Sequence, residues 1–345
     1  MAFRATVVGG SGYAGAELLR LLAAHPEIEV VSVTAGANVG LPVTALYPSL
    51  VPAYPHLEYE AFDPGALDGI DIAFLALPHG ESQRLVPELI GRVAHVVDLA
   101  ADFRLSGERY EEWYGEPHAA ADLIGSFAYG LPELFRSHLG PESHIAAPGC
   151  YPTAAALGLA PLLAGGVVEP SGIVVDAMSG TSGAGRRPLA EQLFAEVNDD
   201  VVAYGLLTHR HTGEIEHALE HVHGRPVQVL FTPHLVPMAR GILSTCHARP
   251  AVTDLTSERL LDLYREYYAD EPFVVVHERS PRTKSTFGSN TCHVTVRYDA
   301  RTDSVLALAA IDNLVKGAAG QAIQSLNVVL DLPETTGLPM LGIMP

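Results

Sequence analysis

Three glycines, Gly9, Gly12 and Gly15, stand between an apolar run at residues 5–8 and a helical pattern carried by Leu18, Leu19 and Leu22. The order of strand, glycine loop and helix constrains this chain more than any other feature. Glycine turns tightly and lets the backbone approach other groups closely. A helix opening on such a loop offers its first N–H groups to phosphate oxygens. The spacing GxxGxxG also suits a plain tight turn, and spacing alone does not separate the two readings. The flanking pattern favours a dinucleotide site. Pro26 ends the helix, and further apolar strands are expected at residues 28–35, 71–78 and 94–100. Continuously apolar strands imply a parallel sheet covered on both faces. Right-handed crossovers then make an α/β, doubly wound Rossmann domain. Ser11, Tyr13 and Ala14 complete the "GGSGYAG" loop that faces the cofactor.

The second strand ends in "SVTAGANVG", residues 32–40, which contains no Asp or Glu. An NAD site presents a carboxylate to the adenosine ribose near this point. Its absence predicts NADP(H), with Thr34 and backbone N–H groups beside the 2′-phosphate. No arginine or lysine lies in the same stretch.

Composition narrows the remaining classes. With 345 residues, 48% of them apolar and 18% charged, the chain can build two ordinary domains. A formal net charge of -19 argues against nucleic acid or an anionic membrane as partner. The three cysteines, Cys150, Cys246 and Cys292, form no CxxC, so neither a disulfide framework nor a thiolate zinc site is expected. Reduced cysteines, no signal-like N-terminus and no membrane-length apolar run predict a cytoplasmic protein.

Beyond residue 147 the pattern becomes mixed α+β. "GIVVDAMSG", "VQVLFTPHL", "PFVVVHE" and "CHVTVRYD" read as strands, and "TSERLLDLYREYYAD" as a helix capped by Thr256 or Ser257. "AIDNLVKGAAGQAIQSLNVVL" reads as one long helix around a glycine interruption, returning to pack on the first domain. The expected boundaries are 1–147, completed by 312–345, and 148–311.

"APGCYPTAAA" places Cys150 just before Pro152, a residue suited to the first turn of a helix. Cys150 is either a buried small hydrophobe or a thiolate nucleophile at the positive end of a helix dipole, where its pKa is expected to fall. A thiolate nucleophile needs a proton manager. "THRHTGEIE" offers His209, His211 and Glu214. On a strand the two histidines would share a face; on a helix His211 and Glu214 would be neighbours. No third ligand at a recognisable spacing accompanies them, so no metal is expected. "SGTSGAGR" brings Ser179, Ser182 and Gly183 into a donor-rich loop, which either lines a nicotinamide or substrate phosphate or is a surface loop.

The ordered set "GGSGYAGAELLRLL", "LALPHG", "DLAADFRL", "YGLPEL", "APGCYPTAA", "SGTSGAGR", "HRHTGEIE", "VPMARGI" and "AIDNLVKGAAGQAIQ" resembles the N-acetyl-gamma-glutamyl-phosphate reductases over nearly the full chain. Gly213 departs from the proline common in that family's HRHTPEI-type motif. The resemblance implies a two-domain fold like that of aspartate-semialdehyde dehydrogenase, with NADPH reducing an acyl-phosphate substrate to an aldehyde in arginine biosynthesis. It implies Cys150 as nucleophile in a catalytic and oligomerisation domain, and a homodimer or homotetramer. His211 would be the acid/base, with His209 the alternative and Glu214 orienting the pair. Arg104 would hold the substrate phosphate, Asn313 would stand near the nicotinamide, and Lys316 would be a phosphate contact or a surface charge. Aspartate-semialdehyde dehydrogenase itself normally has histidine where Ile242 follows Gly241. Reductases of carrier-linked glutamyl or aminoadipyl phosphates usually resemble GCNAT where this chain has "GCYPT".

Overall fold

Ala5, Thr6, Val7 and Val8 are buried in succession at the end of strand β1 (Phe3–Val8), as a strand covered on both faces requires. The computed structural model describes residues 2–344. It divides into one unit of residues 2–148 with Ala318–Leu338, and another of Gly149–Gly317 with the described residues after Leu338. The first unit contains β1, β2 (Ile28–Thr34), β3 (Tyr59–Glu60), β4 (Ile72–Leu75), β5 (His95–Asp98), β6 (Phe127–Tyr129) and β7 (His144–Ala146). Their order is β3-β2-β1-β4-β5-β7-β6, and every pairing is parallel. This is the expected doubly wound sheet. Strand order turns at β1, so a crevice opens at its carboxyl end. Helix α1 (Tyr13–Leu22) follows directly and buries Leu18, Leu19, Leu21 and Leu22.

The final segment differs from expectation. Ala310 and Ile311 belong to a strand, not a helix, and helical structure begins only at Val315 with a π-type turn before the return helix Gly320–Val329. Asp312 is the cause: its Oδ1 accepts the N–H groups of Leu314 (2.8 Å) and Val315 (3.1 Å), capping a new start. The part that returns is thus 318–338, narrower than 312–345. Polar side chains lock the return helix. Gln321 Nε2 and Ser325 Oγ both donate to the Gly130 carbonyl (3.0 and 2.8 Å), and Gln324 Nε2 donates to Glu133 (2.8 Å).

The second unit is a mixed sheet of β8 (Ile173–Ser179), β9 (Val202–Ala203), β10 (Val229–Leu235), β11 (Ile242–Ala248), β12 (Val274–Val276), β13 (Cys292–Asp299) and β14 (Ser304–Ile311), ordered β12-β13-β14-β11-β8-β10-β9. Helix α3 (Cys150–Ala164) is buried all round, and α5 (Ser257–Tyr267) ties to it when Tyr264 and Tyr268 donate to the Gly158 and Leu157 carbonyls. Thr256, not Ser257, caps α5, accepting from the Arg259 N–H at 3.2 Å. No helix among the described residues is long and apolar enough to cross a membrane.

At the carboxyl end of β5 the segments "LPHG" and "DLAADFR" join. Asp102, fully buried, accepts from the N–H groups of Gly80 (2.9 Å) and Gln83 (3.1 Å) and from Ser82 Oγ (2.8 Å) at the start of helix α2 (Ser82–Leu89). The same Ser82 hydroxyl lies 3.0 Å from Asp98 Oδ2. Burial, then the charge of Asp102, pushes the Asp98 carboxyl up to about 7, against the Ala100 N–H, Ser82 and Arg104. In an unfolded chain this group titrates near pH ~4. The folded state therefore binds more protons between these values, and stability falls as pH rises from about 4 through about 7. Asp98→Asn should remove that loss. Thermal denaturation at pH 5 and pH 8 should show the variant gaining on wild type at the higher pH, by on the order of 3 kcal/mol.

Candidate active site

In the first unit the glycine loop is built by close backbone packing. A Cβ on Gly15 would lie 2.6 Å from the Gly10 Cα, so α1 meets β1 only without a side chain there. The N–H groups of Gly9 and Gly10 both donate to the Thr34 carbonyl (3.0 and 2.9 Å), joining the ends of β1 and β2. Gly12 is the N-cap of α1 and makes no side-chain cap, and the first turn has no acidic residue. A Cβ on Gly12 would meet only the Gly9 carbonyl, at 3.9 Å. The loop therefore presents open backbone at a helix N-terminus, a cradle that fits a pyrophosphate. The backbone of Ser11, Tyr13 and Ala14 lines the same turn, with the Ser11 carbonyl fixed by the Tyr47 hydroxyl at 2.9 Å. Beside it a cleft of about 380 Å³ is lined by Thr34, Ala35, Gly36, Phe62, Leu77 and Arg84 among others. Arg104, nearly buried, donates through Nη2 to the Leu99 carbonyl at 2.8 Å, which anchors one arm of its fork.

In the second unit Cys150 is the first residue of α3, after the N-cap Gly149. Pro152 follows within the first turn, where its missing N–H costs nothing. Cys150 is partly exposed, whereas Cys246 and Cys292 are buried, and no disulfide joins the three. Burial, opposed by Ser244, pushes the Cys246 thiol up to about 12, so Cys246 is not a thiolate near neutral pH. The helix dipole favours negative charge at the sulfur of Cys150. Glu214, 1% exposed, accepts the Gly149 N–H at 2.7 Å. It stands in the first turn of α4 (His211–His223), so it braces the start of α3.

His209 and His211 lie with rings 4.8 Å apart, but not on a strand: His209 precedes α4 and His211 opens it. His209 Nδ1 accepts the His211 N–H at 3.2 Å. Burial, then Arg210, pushes His209 down to about 4, so its imidazole stays neutral near pH 7. Both rings pack edge-on against Tyr151, at 5.7 Å for His209 and 5.8 Å for His211. The Tyr151 and Tyr204 hydroxyls lie 2.9 Å apart. Burial and the nearby Cys150 push the Tyr204 phenol up to about 12, against the Tyr151 hydrogen bond, and burial raises Tyr151 as well. Both phenols therefore remain proton donors.

The loop after β8 is joined to other parts of this unit. Thr181 and Ser182 donate their N–H groups to Met238 and Ala239 (2.9 and 3.1 Å). Asn313 Nδ2 donates to Ser182 Oγ at 3.0 Å and its Oδ1 accepts the Gly241 N–H at 2.7 Å. A Cβ on Gly183 would reach Ser179 Oγ at 3.3 Å and Asn313 Nδ2 at 3.7 Å, so these four residues share one location. Ser179 also hydrogen-bonds Tyr151. Of the two readings of Lys316, burial excludes the surface charge: the side chain is wholly buried, with its ammonium 5.4 Å from the centre of the Phe273 ring. Sequence reading missed Gly317. A Cβ there would lie 2.7 Å from the Cys150 Cβ, so only glycine leaves Cys150 its place. The motif containing "KGAAG" was the available signal.

A family model described as "Semialdehyde dehydrogenase, NAD binding domain" matches residues 4–141, and one described as "Semialdehyde dehydrogenase, dimerisation domain" matches 150–313. The N-acetyl-gamma-glutamyl-phosphate reductase of Desulforudis audaxviator is 49% identical over 98% of this chain and 99% of its own length. Its counterpart in Symbiobacterium thermophilum is 49% identical over 98% of each chain. The chain belongs to the N-acetyl-gamma-glutamyl-phosphate reductase family. Among solved structures, aspartate semialdehyde dehydrogenase II from Vibrio cholerae matches with a TM-score of 0.74 at 16% identity, covering 96% of this chain and 99% of that one. Aspartate semialdehyde dehydrogenase with NADP from Candida albicans gives 0.70 at 16% identity, with coverages of 96% and 99%. The two-domain fold is therefore shared at low identity. Within the N-acetyl-gamma-glutamyl-phosphate reductase frame, the contact between Gly317 and Cys150 gives a direct test. Gly317→Ala should displace the thiol and slow iodoacetamide labelling of Cys150 by roughly tenfold or more, because its neighbour is backbone-attached and cannot yield cheaply. Peptide mapping by mass spectrometry would read the rate, with the buried Cys246 as the internal reference.

Proposed function

We propose that this chain uses NADPH to reduce N-acetyl-L-glutamyl 5-phosphate to N-acetyl-L-glutamate 5-semialdehyde and inorganic phosphate, in arginine biosynthesis. The observation that carries the reading is the partly exposed Cys150 at the start of a buried helix, braced through Gly149 by Glu214. Near-full-length identity of 44–49% to reductases of that name supports the substrate. NADPH, when bound to the glycine loop and the cleft beside Thr34, supplies a hydride. The thiolate of Cys150 attacks the acyl carbonyl, the C–O bond to phosphate breaks, and a thioester forms. Arg104 holds the departing phosphate with its planar fork. The thioester carbonyl carbon takes up the hydride and its oxygen takes up a proton from His211, giving a thiohemiacetal. His211 then recovers that proton as the C–S bond breaks, releasing the aldehyde and the thiolate. His209 is assigned to orientation, since it stays neutral and accepts from the His211 backbone. Ser182, Gly183 and Asn313 line the place where the thioester is reduced, and Ser179 with the Tyr151 and Tyr204 phenols supplies donors around it. The reading places the reaction in the cytoplasm, where thiols stay reduced.

Cys150→Ser should lower turnover by roughly a thousandfold or more while keeping cofactor binding. Incubating wild type with the acyl phosphate and no NADPH should leave a thioester on Cys150, visible as a mass shift. Arg104→Lys should raise KM for the acyl phosphate by about tenfold with little change for NADPH. Full activity of the serine variant, or faster reduction of aspartyl phosphate than of N-acetylglutamyl phosphate, would overturn the reading.

A homodimer or homotetramer is part of the same proposal. Phe194 and Leu207 are 79% and 75% exposed in the second unit, and Met178 and Leu230 stand outward on its sheet. An apolar surface of this kind is what a second copy would cover. Light scattering after gel filtration should give a multiple of the chain mass. Phe194→Asp combined with Leu207→Asp should shift the population toward monomer if this surface is the interface.

A further inference from the structure

The cleft at the end of β2 must accommodate a 2′-phosphate if NADP is the cofactor, yet residues 32–40 contain no cation. The structure supplies one from elsewhere. Of the residues lining that cleft, only Arg84 is a cation and only Glu81 is an anion. Both come from the start of α2, after β4, and not from the strand that holds Thr34. The Arg84 side chain is 71% exposed and its guanidinium lies 3.7 Å from the Glu81 carboxylate, itself 56% exposed. A pair this exposed and this long contributes little, so Arg84 can leave it at small cost. Gly36, which also lines the cleft, leaves it open, because a Cβ there would meet nothing within 4 Å.

We propose that Arg84 is the residue that reads the 2′-phosphate of NADP(H) in this chain, crossing from α2 to the cleft beside Thr34 and Gly36. The inference rests on the proposed use of NADP(H). A doubly charged phosphate offers the guanidinium fork two acceptor oxygens, a stronger pairing than the single distant contact with Glu81. Glu81 then acts in the opposite sense, as a like charge facing the phosphate and a competitor for Arg84. Selectivity for the phosphorylated cofactor is set by the balance of these two side chains.

Isothermal titration of the full chain with 2′,5′-ADP and with 5′-AMP separates the possibilities without turnover. Wild type should bind 2′,5′-ADP the more tightly. Arg84→Ala should weaken 2′,5′-ADP by roughly ten- to hundredfold and leave 5′-AMP within about twofold. Arg84→Lys should retain part of the difference, and Glu81→Gln should tighten 2′,5′-ADP alone by a few fold. If Arg84→Ala weakens both ligands equally, the guanidinium stacks on adenine and the assignment fails. If wild type favours 2′,5′-ADP and Arg84→Ala keeps that preference intact, the phosphate is read by other groups and the assignment fails. If wild type does not distinguish the two ligands, the NADP(H) reading itself falls, and the role of Arg84 falls with it.

Discussion

The bond from the Gly149 N–H to the Glu214 carboxylate is the interaction on which the catalytic arrangement turns. A carboxylate this buried is costly unless donors and positive potential surround it. Here the carboxylate stands in the first turn of α4 and accepts from the N-cap of α3, so the positive ends of two helix dipoles converge on it. That arrangement fixes the direction in which α3 leaves Gly149. The direction of α3 in turn fixes Cys150 and Tyr151, its first two residues. The aromatic cluster of Tyr151, Tyr204, His209 and His211 then closes around the same helix end.

Protonation in this cluster is held on one side of neutrality. His209 is kept from charging by burial, and the two phenols are kept from ionising by the same cause. In the proposed reaction this leaves Cys150 and His211 to exchange the proton. A neutral His209 also has one defined tautomer, because its Nδ1 is occupied as an acceptor. The sheet end in the first unit behaves differently. There Asp98 and Asp102 lie close enough to share the Ser82 hydroxyl, and one of them gives way to protonation at about pH 7.

Much of the first unit was legible in the sequence because its strands are buried on both faces and its helix is announced by glycine. β6 and β7 were not, since three-residue strands leave almost no periodicity. In the second unit Cys150, the histidines and the loop at Ser182 were found from residue type and local order. Helical spacing did not reveal the long-range bond of Glu214, whose carboxylate accepts a backbone N–H 65 positions away. For Lys316 the small neighbours fit a phosphate contact or a surface charge alike, and its burial excludes only the second. Arg84 escaped notice because the cleft it lines is assembled from several strand ends. Asp312 broke the last helix because a cap is a three-dimensional pairing of one side chain with two N–H groups.

The return helix has a consequence for how the chain is made. The Gly130 carbonyl accepts from Gln321 and Ser325, and the Glu133 carboxylate accepts from Gln324. A ribosome delivers those partners almost 200 residues later. Most of the interposed unit, Gly149–Gly317, is synthesised before they emerge, and only its residues after Leu338 follow them. During translation the nucleotide-binding sheet therefore waits with one side uncovered while the catalytic unit can already collapse. Vectorial synthesis thus favours an order in which the bulk of the later-starting unit forms before the earlier one is closed.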